Sequence, residues 1–161
     1  MTIRTADLSD ASGGRFLPCS LPWRSFGATA SFAGPAATVR CRDDNGLVRA
    51  AVERPGEGRV LVVDGGGSLD TALVGDVLGG LALANGWAGL VVHGAVRDVV
   101  ALARLPIGVL ALGTNPRRGS RDGAGEAGVP VTFGGVTFCS GREVVVDEDG
   151  VLVEGENLRV H

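Results

Sequence analysis

Three short apolar runs constrain this chain more than any other feature: Arg59-Val-Leu-Val-Val63, Ala88-Gly-Leu-Val-Val-His93, and Gly108 to Leu112. Each has the mark of a strand buried on both faces. Between them lie segments whose apolar residues recur at helical spacing. Val74, Val77, Leu78 and Leu81 predict one helix, ended by Asn85-Gly86. A shorter helix is predicted from Asp98 to Leu105, where Pro106 closes it. Strand–helix–strand–helix–strand at this pitch implies parallel strands joined by right-handed crossovers.

The flanks differ in character. Thr5 to Asp10 predicts a short helix within thirty otherwise irregular residues, with Thr and Asp as candidate caps. Ala28 to Cys41 reads as β, with Gly34-Pro35 marking a turn or bulge. Asp44-Asn45 predicts the cap of a helix that places Leu47, Val48, Ala51 and Val52 on one face, stopped by Arg54-Pro55-Gly56. Val129–Phe133, Gly135–Cys139 and Glu143–Asp147 read as strands separated by Gly-Gly, Ser-Gly and Asp-Glu-Asp-Gly turns. With no linker, repeat or low-complexity tract, residues 1–161 are expected to form one α/β domain with a parallel core and antiparallel flanks.

Composition removes several chemistries. All 15 basic residues are arginine, so the chain holds no lysine. A lysine Schiff base and a phosphate-binding P-loop are therefore excluded. A net charge of −3 and few aromatics argue against direct nucleic-acid binding. No apolar run reaches membrane-spanning length, and the first residues lack a secretion-signal layout. Cys19, Cys41 and Cys139 are odd in number and widely spaced, which fits reduced, structural thiols in the cytoplasm.

Ligands of open α/β sheets gather where strands end and helices begin. Two loops fit. Asp64-Gly-Gly-Gly-Ser leads on to Gly75-Asp76, where the amides of Asp76, Val77 and Leu78 would form an anion site. The second, His93-Gly-Ala-Val-Arg97-Asp98, puts a guanidinium beside a carboxylate. Asp98 suits a hard cation such as Mg²⁺, and Arg97 a forked contact to a carboxylate or keto oxygen. The plainer readings are that Asp98 and Asp76 cap their own helices and Arg97 forms a surface ion pair. His93 and Trp87 read as packing residues, and Arg117, Arg118 and Arg121 as a solvated loop or subunit contact. Capture of a dianionic substrate by that loop is the lesser alternative.

Twenty residues separate Asp76 from Arg97-Asp98, a spacing that resembles the D-x20-R-D signature of the RraA-like family. Other blocks match it in order: Arg59-Val-Leu-Val-Val-Asp-Gly-Gly-Gly-Ser, Leu112-Gly-Thr-Asn-Pro-Arg, Gly123-Ala-Gly-Glu and Phe133-Gly-Gly-Val-Thr-Phe. The resemblance runs from about Thr5 to Val153. It implies a swivelling β/β/α fold and a ring-shaped homotrimer with sites between subunits. It also implies a metal-dependent aldolase that cleaves 4-hydroxy-4-methyl-2-oxoglutarate to two pyruvates, with oxaloacetate decarboxylation as a companion activity. Asp98 is then the metal ligand, for Mg²⁺ or Mn²⁺, and Arg97 the substrate-binding arginine. Gly75 to Leu78 hold the substrate carboxylate, and Asp76 orients a metal-bound water.

Gly75 and Gly94 are expected where a small oxo acid needs bare backbone. Longer aldolases add a C-terminal acid from a neighbouring subunit, for which Glu126 or Glu143 is a candidate here. The family also holds inhibitors of ribonuclease E, a regulatory binding role that is the alternative function, and some of those have lost the acid of the Arg-Asp pair. A methyltransferase label would rest on Asp64-Gly65-Gly66-Gly67, which reads more simply as a tight turn.

Overall fold

In the computed structural model, which describes residues 3–155, the three apolar runs lie side by side. Strand β4 (Val60–Asp64) pairs in parallel with β6 (Gly89–Val96), and β6 with β7 (Gly108–Thr114). On the other side of β4, residues Ala36 to Arg40 of β3 (Phe32–Arg40) also run parallel. Alternation along a strand sends neighbouring side chains to opposite faces. Leu61, Val63, Leu90, Val92, Val109 and Ala111 meet a helical layer, whereas Val60, Val62, Val91 and Leu110 meet a β layer. All are buried, which explains why these runs show no polar alternation.

The helical layer contains α2 (Gly46–Val52), α3 (Asp76–Ala84) and α4 (Val99–Leu102), which bury Val48, Val52, Leu78, Ala82 and Leu102. The β layer is a hairpin of β9 (Val131–Phe133) and β10 (Val136–Phe138), whose inward residues are Val131, Phe133, Val136 and Phe138. Burying side chains of this size contributes about 1.5–3 kcal/mol each.

Antiparallel strands extend the parallel core. Residues 32–35 of β3 pair with β11 (Glu143–Asp147), which pairs with β12 (Gly150–Glu154), and that with β1 (Phe16–Pro18). At the opposite edge β2 (Arg24–Ser25) runs antiparallel to β7. β5 (Ala72–Val74) lies parallel to the far end of β6, and β8 (Glu126–Ala127) lies beside the end of β3. Helix α1 (Thr5–Ala11) packs Leu8 near Phe16, Val145 and Leu152. The expected mixed α/β domain with a parallel core and antiparallel flanks is therefore present. No described helix is long and apolar enough to cross a membrane.

Several local expectations are corrected. Gly34-Pro35 makes no turn, because β3 runs straight through it. It marks instead the point where β3 changes partner from β11 to β4. Val74 ends β5 rather than joining α3, and Val77 is 61 % exposed rather than on the buried face. The extended backbone of Gly75 separates strand from helix. Helix α4 ends at Leu102, not Leu105. Neither Thr5 nor Asn45 caps a helix through its side chain. The Thr5 hydroxyl donates to Asp147 (2.6 Å), and the carboxylate that receives the Gly46 N–H is that of Asp44 (2.8 Å).

Trp87 packs as expected: it is buried, donates Nε1–H to the Arg54 carbonyl (3.1 Å) and lies under the Arg59 guanidinium. Cys19 and Cys41 are buried free thiols, and burial pushes each up to about 12. Cys139 is free and half-buried.

Candidate functional site

Asp98 follows the last residues of β6 and adopts a left-handed backbone (φ 58°, ψ 41°). For a residue other than glycine this costs about 1 kcal/mol, and such strain gathers at functional sites. The conformation turns the carboxylate away from α4, to which it makes no capping bond, and toward α3. There Oδ2 accepts the Asp76 N–H at 3.2 Å. Asp98 thus caps a helix, but not the one that follows it in sequence. Its Oδ1 accepts no hydrogen bond among the described residues.

Arg97 holds its place through its backbone, donating N–H to the Val74 carbonyl (2.9 Å), and through Nη1–H to the Pro116 carbonyl (3.3 Å). Its Nε lies 4.0 Å from Asp98 Oδ2, at the limit of an ion pair between two partly exposed groups. Such a pair contributes little, so the guanidinium is available to a ligand.

The start of α3 offers two free amides rather than the three expected of an anion site. Asp98 already takes the Asp76 amide, which leaves the Val77 and Leu78 N–H groups without partners among the described residues. These two amides carry the positive end of the helix dipole. All six expected site residues line one cavity of about 190 Å³: Gly75, Asp76, Val77, Leu78, Arg97 and Asp98.

Gly75 is required there by contact rather than by conformation. A Cβ at this position would overlap Asp98 Oδ2 and press on the Arg97 side chain. Because the obstructed atoms are side-chain ends, Gly75→Ala is expected to leave the melting temperature within a few degrees of wild type. The same change should displace the Asp98 carboxylate and weaken Mn²⁺ binding at least about tenfold, measured by electron paramagnetic resonance of free Mn²⁺.

Three polar residues outside the expected site also line the cavity: Asn45, Arg49 and Arg121, the last from the loop read as a solvated or subunit contact with capture of a dianionic substrate as the lesser alternative. Asn45 Oδ1 is buried with no hydrogen-bond partner. A buried orphan acceptor is costly unless a donor reaches it. The only sequence signal for Arg49 is its i+4 spacing from Asn45, the residue before α2, whose carbonyl accepts the Arg49 N–H (3.0 Å).

No described group of three or more His, Cys, Asp or Glu residues forms a metal cage. Mg²⁺ does not need one, since it is held by one or two carboxylates together with substrate oxygens and waters. The Asp98 carboxylate, with one oxygen free, fits a hydrated hard cation of this kind.

Other expected contributors lie elsewhere. Gly94 is packed against Leu73 and the Ser68 carbonyl and does not line the cavity, so its lack of a side chain serves packing. The His93 ring stacks on Phe133 at 4.4 Å, and its Nδ1 lies 3.0 Å from Asp64 Oδ1, a packing role. Glu126 pairs with Arg40 (2.7 Å) and Glu143 lies beside Glu154; neither lines the cavity of its own chain. The Asp64–Gly67 segment is the tight turn expected, with φ of 67° at Gly66 and 74° at Gly67. Its amides are spent internally. Gly65 and Gly67 donate to the His93 carbonyl, and Gly66 to Asp64 Oδ1.

The fold and this cavity define a small α/β protein with an acid–arginine pair set against a helix N-terminus. The chain belongs to the RraA-like family, whose aldolase/RraA model matches residues 5–153. It is 47 % identical to the RNA-processing inhibitor RraA from Thermus thermophilis, with a TM-score of 0.90 over 99 % of this chain and 98 % of that one. It is 42 % identical to a Geobacillus kaustophilus protein described as S-adenosylmethionine: 2-dimethylmenaquinone methyltransferase, with a TM-score of 0.93 over 99 % of both chains. RraAS2 of Streptomyces coelicolor, described as an unusual member of the RNase ES inhibitor RraA protein family, is 32 % identical over 94 % of this chain and 77 % of its own, with a TM-score of 0.74.

Proposed function

We propose that this protein is a divalent-metal-dependent lyase for 2-oxo diacids. It cleaves 4-hydroxy-4-methyl-2-oxoglutarate to two pyruvates and decarboxylates oxaloacetate through the same pyruvate enolate. The observation that carries this reading is the convergence of Arg97, Asp98 and the unpaired Val77 and Leu78 amides on one cavity.

Asp98 holds the cation, Mg²⁺ or Mn²⁺, which when bound supplies Lewis-acid stabilisation to the C2 oxygen. The Val77 and Leu78 N–H groups bind the C1 carboxylate, and bare Gly75 keeps the backbone open to it. Arg97 directs its guanidinium to the C2 oxygen, where negative charge grows. Asp76 orients a water that takes the proton of the 4-hydroxyl. The C3–C4 electron pair then moves onto the C2 oxygen and the first pyruvate leaves. The remaining enolate takes a proton at C3 and becomes the second. In oxaloacetate the same bond breaks with loss of CO₂. A chain without lysine has no iminium to receive this electron pair, so the pair comes to rest on the C2 oxygen that Arg97 faces.

Asp76 and Asp98 are the only acids among the described residues lining the cavity. A third acid comes from a neighbouring copy in a homotrimer, with Glu126 or Glu143 as its source. Val77 and Val100, 61 % and 71 % exposed, offer apolar surface for such a contact.

A second reading is favoured by the names of the Thermus and Streptomyces relatives: inhibition of ribonuclease E by protein contact. Methyl transfer is not favoured, because the Gly65–Gly67 amides are already committed within the turn. A lactate-dehydrogenase-coupled assay with Mg²⁺ separates the first two. Pyruvate release from oxaloacetate and from 4-hydroxy-4-methyl-2-oxoglutarate should vanish in EDTA and return with added Mg²⁺. No release from either, beside capture of ribonuclease E in a pull-down, would replace the lyase with the regulator.

A further inference from the structure

The mechanism above leaves two of the cavity's arginines unexplained. Arg49 comes from α2 and Arg121 from the segment between β7 and β8, yet both line the cavity that holds Arg97. What joins these remote segments is Asp44, which is 2 % exposed. Its Oδ1 accepts N–H bonds from Gly46 (2.8 Å) and Gly123 (3.1 Å), and its Oδ2 accepts from the Ser120 hydroxyl (2.9 Å) and the Asp122 N–H (3.0 Å). The Asn45 N–H adds a bond to the Ser120 carbonyl (2.9 Å). Residues 120–123 are thereby tied to the first turn of α2, and Arg121 lines the same cavity as Arg49.

Neither guanidinium is neutralised internally to a useful degree. Arg121 makes no ion pair among the described residues. Arg49 uses Nε for Glu53 (2.9 Å), but both side chains are about half exposed, a setting in which such a pair is weak, and its two terminal nitrogens are left over. The cavity carries three arginines against two aspartates. A divalent cation on Asp98 would raise that excess of positive charge further. With the cation the excess over the two aspartates is about three charges; one ligand carboxylate, held by the Val77 and Leu78 amides, leaves about two, and a second brings it to about one.

We infer that Arg49 and Arg121 form a second carboxylate subsite, which makes the cavity selective for 2-oxo diacids over 2-oxo monoacids. This rests on the proposed placement of the first carboxylate at α3, and it adds the residues that would read the far end of the substrate. Guanidinium–carboxylate contacts of this kind discriminate about 10- to 100-fold against a ligand that lacks the group.

The test is calorimetric binding of 2-oxoglutarate and of 2-oxobutyrate to the full-length protein, with Mg²⁺ and without it. Wild type should bind the diacid at least about tenfold more tightly. In Arg49→Gln, Arg121→Gln and the double variant, the preference should fall stepwise toward unity while 2-oxobutyrate affinity stays within about twofold. Arg15→Gln, at the β1 edge of the sheet, removes the same charge far from the cavity and should leave the preference intact. A wild type with no preference overturns the subsite, as does an equal loss of both ligands in the variants or an equal effect from Arg15→Gln. Retained preference without any pyruvate release would instead sink the lyase and keep the subsite.

Discussion

Arg97→Ala and Asp98→Asn should each cut pyruvate release from oxaloacetate by at least about 10²–10³ in turnover. The two losses have different origins. Arg97→Ala removes a fixed positive group from the oxygen on which charge develops, so kcat falls more than KM rises. Asp98→Asn keeps the shape, tolerates the left-handed backbone, and still offers an oxygen to the Asp76 N–H. It loses the charge that holds a cation, and its defect should be partly offset by raising Mg²⁺ to high concentration. Thermal melting within about 3 °C of wild type would show that neither variant fails through unfolding. Full activity of metal-free protein, or of Asp98→Asn at low Mg²⁺, would remove the proposed mechanism.

Asp44→Ala should lower stability by about 3 kcal/mol near pH 7, the largest expected effect away from the cavity. Burial by itself would push the Asp44 carboxyl up. Hydrogen bonds from Gly46, Ser120, Gly123 and Asp122 outweigh it and hold the group below its ordinary 3.8. Asp147 behaves alike: burial raises it, and Thr5, Asp149 and Arg4 bring it below the same value. A carboxyl with a depressed folded pKa contributes stability that is complete above the ordinary carboxylate value. That stability is lost as pH falls through the lower, folded value. The gap in urea midpoint between wild type and Asp44→Ala should therefore be widest near about pH 7 and shrink toward about pH 2. An equal gap at both ends would mean that the ionised carboxylate is not what ties residues 120–123 to α2.

Much of the site was legible in the chain. The Asp76, Arg97 and Asp98 spacing is meaningful because each lies at a strand end or a helix start, and parallel pairing brings such ends to one edge of the sheet. Val91 and Leu61 announced buried strands, since a run with two buried faces has no polar alternation. The two- and three-residue strands β1, β2, β5 and β8 were not legible. They are too short for any periodicity and are held by partners distant in sequence, as Phe16 is by Glu154. Val77 was misplaced for a related reason. Helical spacing assigns an apolar face, but where a helix begins depends on Gly75 and on the carboxylate packed against it.

The sequence by itself determined the parallel core, the exclusion of lysine chemistry and the identity of the acid–arginine pair. Periodicity and composition are local properties, and they survive without knowledge of neighbours. Only the tertiary structure decided that Asp98 caps α3 rather than α4, and that this capping leaves two amides rather than three for a ligand. It alone brought Arg49 and Arg121 to the same cavity, through a buried Asp44 whose bonds from Ser120, Asp122 and Gly123 join segments 76, 78 and 79 residues apart. A buried carboxylate must satisfy its oxygens with whatever donors the fold delivers, and no local pattern records which those will be.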